Sequence, residues 1–386
     1  MNAISMSDNH LPLLIVGASA RAAAASAARA GFKPFAVDQF ADVDLRAVAT
    51  ASEIAGEFPA SVPVVCETLP EMPWLYVGGL ENYPAIVEQI AARRPLLGNG
   101  ADVLRKVRDP WELSSVCSRC EVPLPEMRRE LANSDDPRDW LWKGLASSAG
   151  LQVCAATQRP KMQAGYFQRR QMGTPLSAAY VSNRDQSVLL GVTQQLIGRE
   201  YHAPRAFQYA GNIAPRTDSA ACEQRLRTLG EALTAEFRLQ GVWGLDFLLA
   251  DDELWALEVN PRYCASLELL ERAYSLPMIA LHVLACERDE LPSVPLETMP
   301  RRIVGKMIVY APRVGAFPTG FAAELLAANV DNDWLEYADI SPDGTLFPVG
   351  GPLVTVFAEG DSVSEVEASL QQARIDLLRR LIPSTD

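Results

Sequence analysis

The sequence predicts a multidomain protein of mixed α/β and α+β class, and three observations carry that expectation. The chain of 386 residues exceeds what one small hydrophobic core organises, so two or three domains are expected. Residues 11–38, LPLLIVGASARAAAASAARAGFKPFAVD, read as a strand, a tight glycine turn, an Ala-rich helix, a stop at Gly31 and a second strand, which is the βαβ unit of a parallel sheet. From Trp140 onward short strands replace that alternation and lead to a hairpin-like stretch, GLDFLLADDELWALEVNPRY, from Gly244 to Tyr263.

Taken in order, residues 1–10 read as a frayed leader. GASARA lacks the G-x-G-x-x-G spacing, so the first βαβ unit reads as a Rossmann-like scaffold rather than a dinucleotide site. PWLYVGG and RPLLGNG look like further strands that close this domain near residue 98. VRDPWELSSVCSRCEVPLPEM gives a polar start, a helix and a Pro-punctuated exit. DWLWKGL, YFQRRQMG and LSAAYVS read as strands, and a long helix follows at about 219–240, where Leu226, Leu229, Leu233 and Phe237 recur at helical spacing. RRIVGKMIVYAP and GPLVTVFAEG read as the last strands, before a final helix at about 362–381.

Composition narrows the function. Apolar residues make up 48% and charged residues 22%, and the net charge is −13. No basic surplus exists to neutralise phosphates, which argues against nucleic acid or an anionic membrane as partner. Only five lysines occur (Lys33, Lys106, Lys143, Lys161 and Lys306), so a lysine at a phosphate site is less often incidental. Cys117-x-x-Cys120 has no second pair to complete a zinc site and reads as ordinary helix residues. His10, His202 and His282 form no convincing triad and read as structural or surface residues. With no signal peptide and no apolar run of membrane-spanning length, the chain reads as a reduced, cytoplasmic protein.

The hairpin stretch raises an electrostatic question. Folded about Asp252, with Asp251, Asp252 and Glu253 as the turn, it places Phe247 opposite Leu257, Leu249 opposite Trp255 and Asp246 opposite Glu258. Strand side chains alternate faces, so Asp246, Glu258 and Asn260 share one side. Opposed like charges destabilise a sheet, and more so where the dielectric falls. A shared proton, an Arg or a divalent cation could offset the repulsion; a solvated face would avoid it. Two carboxylates and an amide oxygen are hard ligands suited to Mg²⁺. Arg262 continues the alternation and would face whatever anion the metal holds.

With these residues in view, the sequence resembles the ATP-grasp superfamily, whose nucleotide half ends in an acid on one strand, a hairpin and a Glu-x-Asn-Pro-Arg-type strand; here these are Asp246 and Glu258–Arg262. The resemblance implies a Rossmann-like N-terminal domain (1–98), a two-subdomain ATP-grasp fold (99–300, hinge near 168–173) and a small C-terminal α+β domain (301–386). It implies Asp246, Glu258 and Asn260 as Mg²⁺ ligands and Arg262 as the residue that steadies the transferring phosphoryl group. WLWKGLASSAGLQV resembles the family's strand lysine and small-residue loop: Lys143 would reach the phosphates, and Ser147, Ser148, Ala149 and Gly150 would cover them. YFQRRQMG resembles the hinge, with Gln168, Arg169 and Gly173 at its positions; a ribose-binding acid beyond it is not apparent. Where relatives carry Asp-Lys before a helix this chain has Pro110, and Lys106, one turn earlier, is the substitute.

The resemblance implies ATP and Mg²⁺ as cofactors, small-molecule carboxylate and amine substrates, and carboxylate–amine ligation through an acyl-phosphate. Gln194, Gln195, Tyr209, Asn212 and Arg216 are candidates for recognising a substrate carboxylate or amine. The N-terminal segments GASARAAAASAARAGF and AVDQFADVDL also resemble a branch linked to methanofuran and tetrahydromethanopterin biosynthesis in one-carbon metabolism, members of which join an amino acid such as glutamate to an amine. An ATP-grasp kinase and a non-catalytic nucleotide-binding protein remain as alternatives, and a homodimer is allowed.

Overall fold

A Leu-Leu-Ile-Val run forms the middle of the first sheet, because a parallel strand covered on both faces must be apolar throughout. In this computed structural model, which describes residues 11–54, 57–216, 219–293, 302–329 and 334–382, that run is β1 (Pro12–Val16). The expected leader, His10 and the expected boundary near residue 300 lie outside the described residues. The Ala-rich segment is α1 (Arg21–Arg29); Gly31, at φ +87°, turns the chain into β2 (Lys33–Asp38). With β3 (Thr50–Glu53) and β4 (Trp74–Tyr76) these strands form a parallel sheet in the order β3-β2-β1-β4. Helices α2 (Val43–Val48), α3 (Val62–Glu67) and α4 (Pro84–Ala91) fall between or after its strands.

Two details differ from the sequence reading or refine it. RPLLGNG is no strand: Leu96 makes a single parallel bridge to Trp74, between Pro95, which has no N–H to donate, and Gly98 at φ +130°. The GASARA turn is filled from within, since Asp38 Oδ2 accepts the Ala20 N–H at 2.6 Å at the start of α1.

Helices α5 (Ala101–Val107) and α6 (Pro110–Arg119) lead out of this sheet. Asp109 caps α6 by accepting the Trp111 N–H at 2.9 Å, and Pro110 takes the first helical position, where no N–H is needed. Cys117 is buried on this helix and Cys120 ends it; both are free thiols. Next comes a small antiparallel sheet of β5 (Met127–Arg128), β6 (Trp140–Gly144), β7 (Val153–Ala155) and β8 (Gly165–Arg169), in the order β5-β8-β6-β7.

The rest of the chain builds one eight-stranded antiparallel sheet. Its strands are β9 (Thr174–Asn183), β10 (Ser187–Ile197), β11 (Tyr209–Ala214), β12 (Gln240–Ala250), β13 (Glu253–Asn260), β14 (Ile303–Tyr310), and then β16 (Tyr337–Ala338) and β18 (Pro352–Gly360). The short strands β15 (Gly315–Ala316) and β17 (Leu346–Phe347) pair antiparallel, apart from it. Sheet order is β13-β12-β9-β10-β11-β14-β18-β16, so the late strands do not form a sheet of their own but extend the central one through β11–β14. Helix α7 (Ala220–Phe237), capped by Ser219, buries Leu226, Leu229, Leu233 and Phe237 on it, at about 1.5–3 kcal/mol per side chain. A Cβ at Gly230 would stand 2.4 Å from the Tyr180 ring, which itself stacks on Trp243 at 4.2 Å, so only glycine allows this approach. Helices α8 (Ala265–Tyr274) and α9 (Met278–Arg288) pack against α1, and α10 (Phe321–Ala328) and α11 (Val363–Leu381) close the far end. Among the described residues no single helix is long and apolar enough to cross a membrane.

Candidate active site

Between the small sheet, the large sheet and the start of α1 lies a cleft of about 590 Å³. Its acidic wall comes from the β12–β13 hairpin. The turn is two residues long, Asp251 and Asp252, both at positive φ (50° and 63°), which suits Asp in a tight hairpin. Above the turn Phe247 therefore faces Ala256 and Leu248 faces Trp255, one residue out from the expected register. A β-bulge between Asp246 and Phe247 takes up the difference, with Leu257 as the extra residue, and Asp246 still faces Glu258. Asn260 Nδ2 donates to Asp246 Oδ2 at 2.9 Å and Gln195 Nε2 to Oδ1 at 3.1 Å, which brings Asp246, Asn260 and Gln195 together at the cleft.

The repulsion anticipated in the sequence is present. Burial, together with the Glu258 carboxylate, pushes the Asp246 carboxyl up to about 6. Nearby cations offset part of it: Arg108 Nη1 stands 3.6 Å from Glu258 Oε2, and Arg262 acts on Asp246. Arg262 lines the cleft two residues beyond Asn260, but its guanidinium pairs with the buried Glu81 at 2.8 Å. Burial acts against ionising Glu81, yet Arg262 outweighs it and holds that carboxyl below its ordinary value. The Asp246–Glu258 pair thus keeps an excess of negative charge. Its two carboxylates and the Asn260 amide fit a hard divalent cation such as Mg²⁺.

The opposite wall is the small sheet. Lys143 pairs across from Tyr166 and Leu141 from Gln168, so Lys143 and Gln168 share the face toward the cleft, with Lys143 Nζ donating to Gln168 Oε1 at 3.3 Å. Burial disfavours the Lys143 ammonium, but Tyr166 and Glu258 outweigh it and raise its value above the ordinary one. Gln168 is buried and its Nε2 has no hydrogen-bond partner, a donor turned to the cleft wall. Ser147, Ser148, Ala149 and Gly150 also line the cleft, and so do Arg169 to Gly173, which join the two sheets. Ala149 and Gly150 take positive φ (50° and 69°), and a Cβ on Gly150 would meet the Phe207 carbonyl oxygen at 1.8 Å. Glycine is therefore required there.

Lys106 does not join this site. It lies exposed on the solvent side of α5, whereas Arg108, where the chain turns into α6, reaches inward to Glu258, to Asn82 Oδ1 (3.0 Å) and to the Ser147 carbonyl (2.9 Å). Among the other candidates, Gln195, Tyr209 and Asn212 line the cleft. Gln194 and Arg216 lie on the other face of the sheet, 3.5 Å from each other. Sequence reasoning missed Arg108 and Glu81. The first had a signal in its closeness to the expected lysine position; the second sits in a one-turn segment with no motif around it.

Residues 107–266 match the family model of the ATP-grasp domain. That stretch is an ATP-grasp domain. Solved structures share the fold over nearly the whole chain. The carboxyaminoimidazole ribonucleotide synthase of Aspergillus clavatus complexed with ATP aligns at a TM-score of 0.68 and 15% identity, covering 96% of this chain and 99% of that one. The L-amino acid ligase of Bacillus licheniformis aligns at 0.69 and 13% identity, covering 96% and 98%. Biotin carboxylase of Campylobacter jejuni aligns at 0.70 and 13% identity, covering 95% and 90%. An uncharacterized protein of Methanocaldococcus jannaschii is 26% identical over 167 residues, which are 42% of this chain and 37% of that protein. The match thus spans little more than a third of that relative. In this chain the ATP-grasp domain contributes the acidic hairpin, Lys143, the 147–150 loop and the hinge.

Proposed function

We propose that the protein is an ATP- and Mg²⁺-dependent carboxylate–amine ligase. The observation that carries this reading is the Asp246–Glu258–Asn260 face, an under-neutralised acid pair set across a cleft from Lys143. Asp246, Glu258 and Asn260 would hold Mg²⁺, which would neutralise triphosphate charge. Lys143 adds positive charge from the opposite wall, and Arg108, beside Glu258, takes the part expected of Lys106. Backbone N–H groups of 147–150 would cover the phosphates, and Gln168 with the 169–173 backbone would receive the base. Arg262, oriented by Glu81, would face the transferred phosphoryl group.

In the reaction, a carboxylate oxygen of the substrate attacks the γ-phosphorus and ADP leaves. The amine nitrogen then attacks the acyl carbon and phosphate leaves, giving an amide. Such chemistry asks the protein for position and charge rather than a nucleophilic side chain. His282 agrees with that: it is buried, accepts the Val242 N–H at 3.0 Å, and burial drives its value down to about 4. At a finer level we propose the joining of an amino acid, such as glutamate, to an amine in the biosynthesis of a one-carbon carrier; the likeness of the N-terminal segments supports it.

The test is an ADP-release screen across amino acids and amines, with mass spectrometry of the products. An amide conjugate formed with ADP supports the reading. A phosphorylated product without a conjugate replaces it with a kinase, and ATP binding with no turnover across the screen replaces it with a nucleotide-binding role.

A further inference from the structure

Past the acid pair, the cleft continues to a deep end assembled from distant parts of the chain: the start of α1, the start of α8, strands β14 and β18, and the residue after β16. Arg21, Ser266, Lys306, Asp339 and Thr355 line it. Arg21, only 3% exposed, forks onto both oxygens of Glu268 and pairs with Asp339 at 3.0 Å and Asp44 at 3.6 Å. Lys306 Nζ donates to Glu268 Oε2 at 2.9 Å, and Thr355 Oγ1 donates to Asp339 Oδ2 at 2.5 Å.

Two features of this network point to a ligand. The first is charge: two cations, Arg21 and Lys306, face three carboxylates, Glu268, Asp339 and Asp44. Buried charge is costly unless paired, and of these acids Asp339 is the one that lines the cleft, with its side chain 32% exposed. The second is a set of spare donors. Helix α8 begins with no side chain capping it, Ser266 Oγ is buried without a hydrogen-bond partner, and Lys306 gives Glu268 one of its three N–H groups. A helix N-terminus beside a lysine and a free hydroxyl favours a carboxylate. This one starts three residues after Arg262, next to the proposed phosphoryl-transfer centre.

We propose that the deep end binds the acyl donor and that this donor carries an ammonium group. Its carboxylate lies at the α8 N-terminus with Ser266 and Lys306, and its ammonium on Asp339. The inference rests on the ligase reading and deepens it by naming the residues that hold the two ends of the activated acid. Small residues close the walls at Ala18, Ala22, Gly78 and Ala265, which suits a compact acid.

The experiment uses the full chain with Mg-ATP and hydroxylamine in place of the natural amine. The substrate carboxylate attacks the γ-phosphorus and the bond to ADP breaks; hydroxylamine nitrogen then attacks the acyl carbon, phosphate leaves, a proton passes to solvent and a hydroxamate forms. Amino acids are compared with their des-amino and N-acetyl counterparts, which keep the carboxylate and lose the charge. Hydroxamate from the ammonium-bearing acids, in preference to both counterparts, is the expected result. Equal or better yield from the uncharged acids overturns this inference while the ligase stands; no hydroxamate from any acid overturns both.

Two variants sharpen the test. Asp339→Asn should reduce the preference for an amino acid over its des-amino analogue by about tenfold or more, the scale of a lost charge-assisted hydrogen bond. A purely structural role would lower both rates together and leave that ratio unchanged, which overturns the assignment. Ser266→Ala removes a hydroxyl with no partner in the fold, so the melting temperature should hold while the KM for the acid rises by about tenfold. An unchanged KM overturns the carboxylate end.

Discussion

Asp246 sits where two demands meet: a sheet that disfavours facing acids and a site that needs them. Burial and Glu258 raise its value to about 6, against an ordinary 3.8. Mg²⁺ competes with that proton, so metal affinity should fall as the pH drops through about 6, which calorimetric Mg²⁺ titrations at about pH 5 and about pH 7.5 will read. In the metal-free protein the sign for stability follows from proton counting. Between the ordinary value and about 6 the folded state holds the proton that the unfolded state has lost, so stability declines as pH rises through that window, and Mg²⁺ should restore it. Glu258→Ala should abolish Mg-ATP turnover with an unchanged circular dichroism spectrum, since its side chain is partly exposed and its removal relieves repulsion. Turnover at the native rate would refute the metal assignment. Lys143→Ala should weaken ATP binding by about tenfold or more, read by calorimetry, because the cation faces the acid wall from the other sheet.

Among the elements, the loop from Ser147 to Gly150 is the most sensitive to backbone. Gly150 cannot accept a Cβ against the Phe207 carbonyl, and the Ala149 carbonyl accepts the Tyr209 N–H at 3.1 Å. Gly150→Ala should therefore displace the loop and raise the ATP dissociation constant without lowering the melting temperature by more than a few degrees; an unchanged constant would separate the loop from the nucleotide. The hairpin shows how far the sequence could be read. Alternating apolar and acidic residues gave its two strands and the Asp246–Glu258 pairing, but the turn was placed one residue long. Alternation reports which face a side chain takes and says nothing of a bulge, and Leu257 absorbed the error before it reached the acids. Helices α7 and α11 begin within a residue of where the sequence places them, and their local capping serines, Ser219 and Ser362, agree with those starts, whereas α7 stops three residues before the expected 240. Arg108, Glu81, Arg21 and Asp339 were not, since their partners lie far off in the chain and only tertiary contact selects them.

For the whole molecule, ligand binding should register as stability. Mg-ATP at about one hundred times its dissociation constant should add about 2.7 kcal/mol to the folded state, seen as a rise in melting temperature that is absent with Glu258→Ala. The residues that line the cleft also fall on two separate sheets. Asp246, Glu258, Lys306 and Thr355 all stand on strands of one hydrogen-bonded ladder, from β13 through to β18, while Lys143, Gln168 and the 147–150 loop belong to a separate small sheet, which residues 170–173 connect to it along the chain. The distance from the acid pair to Lys306 and Thr355 is therefore set within that one ladder, independently of the small sheet.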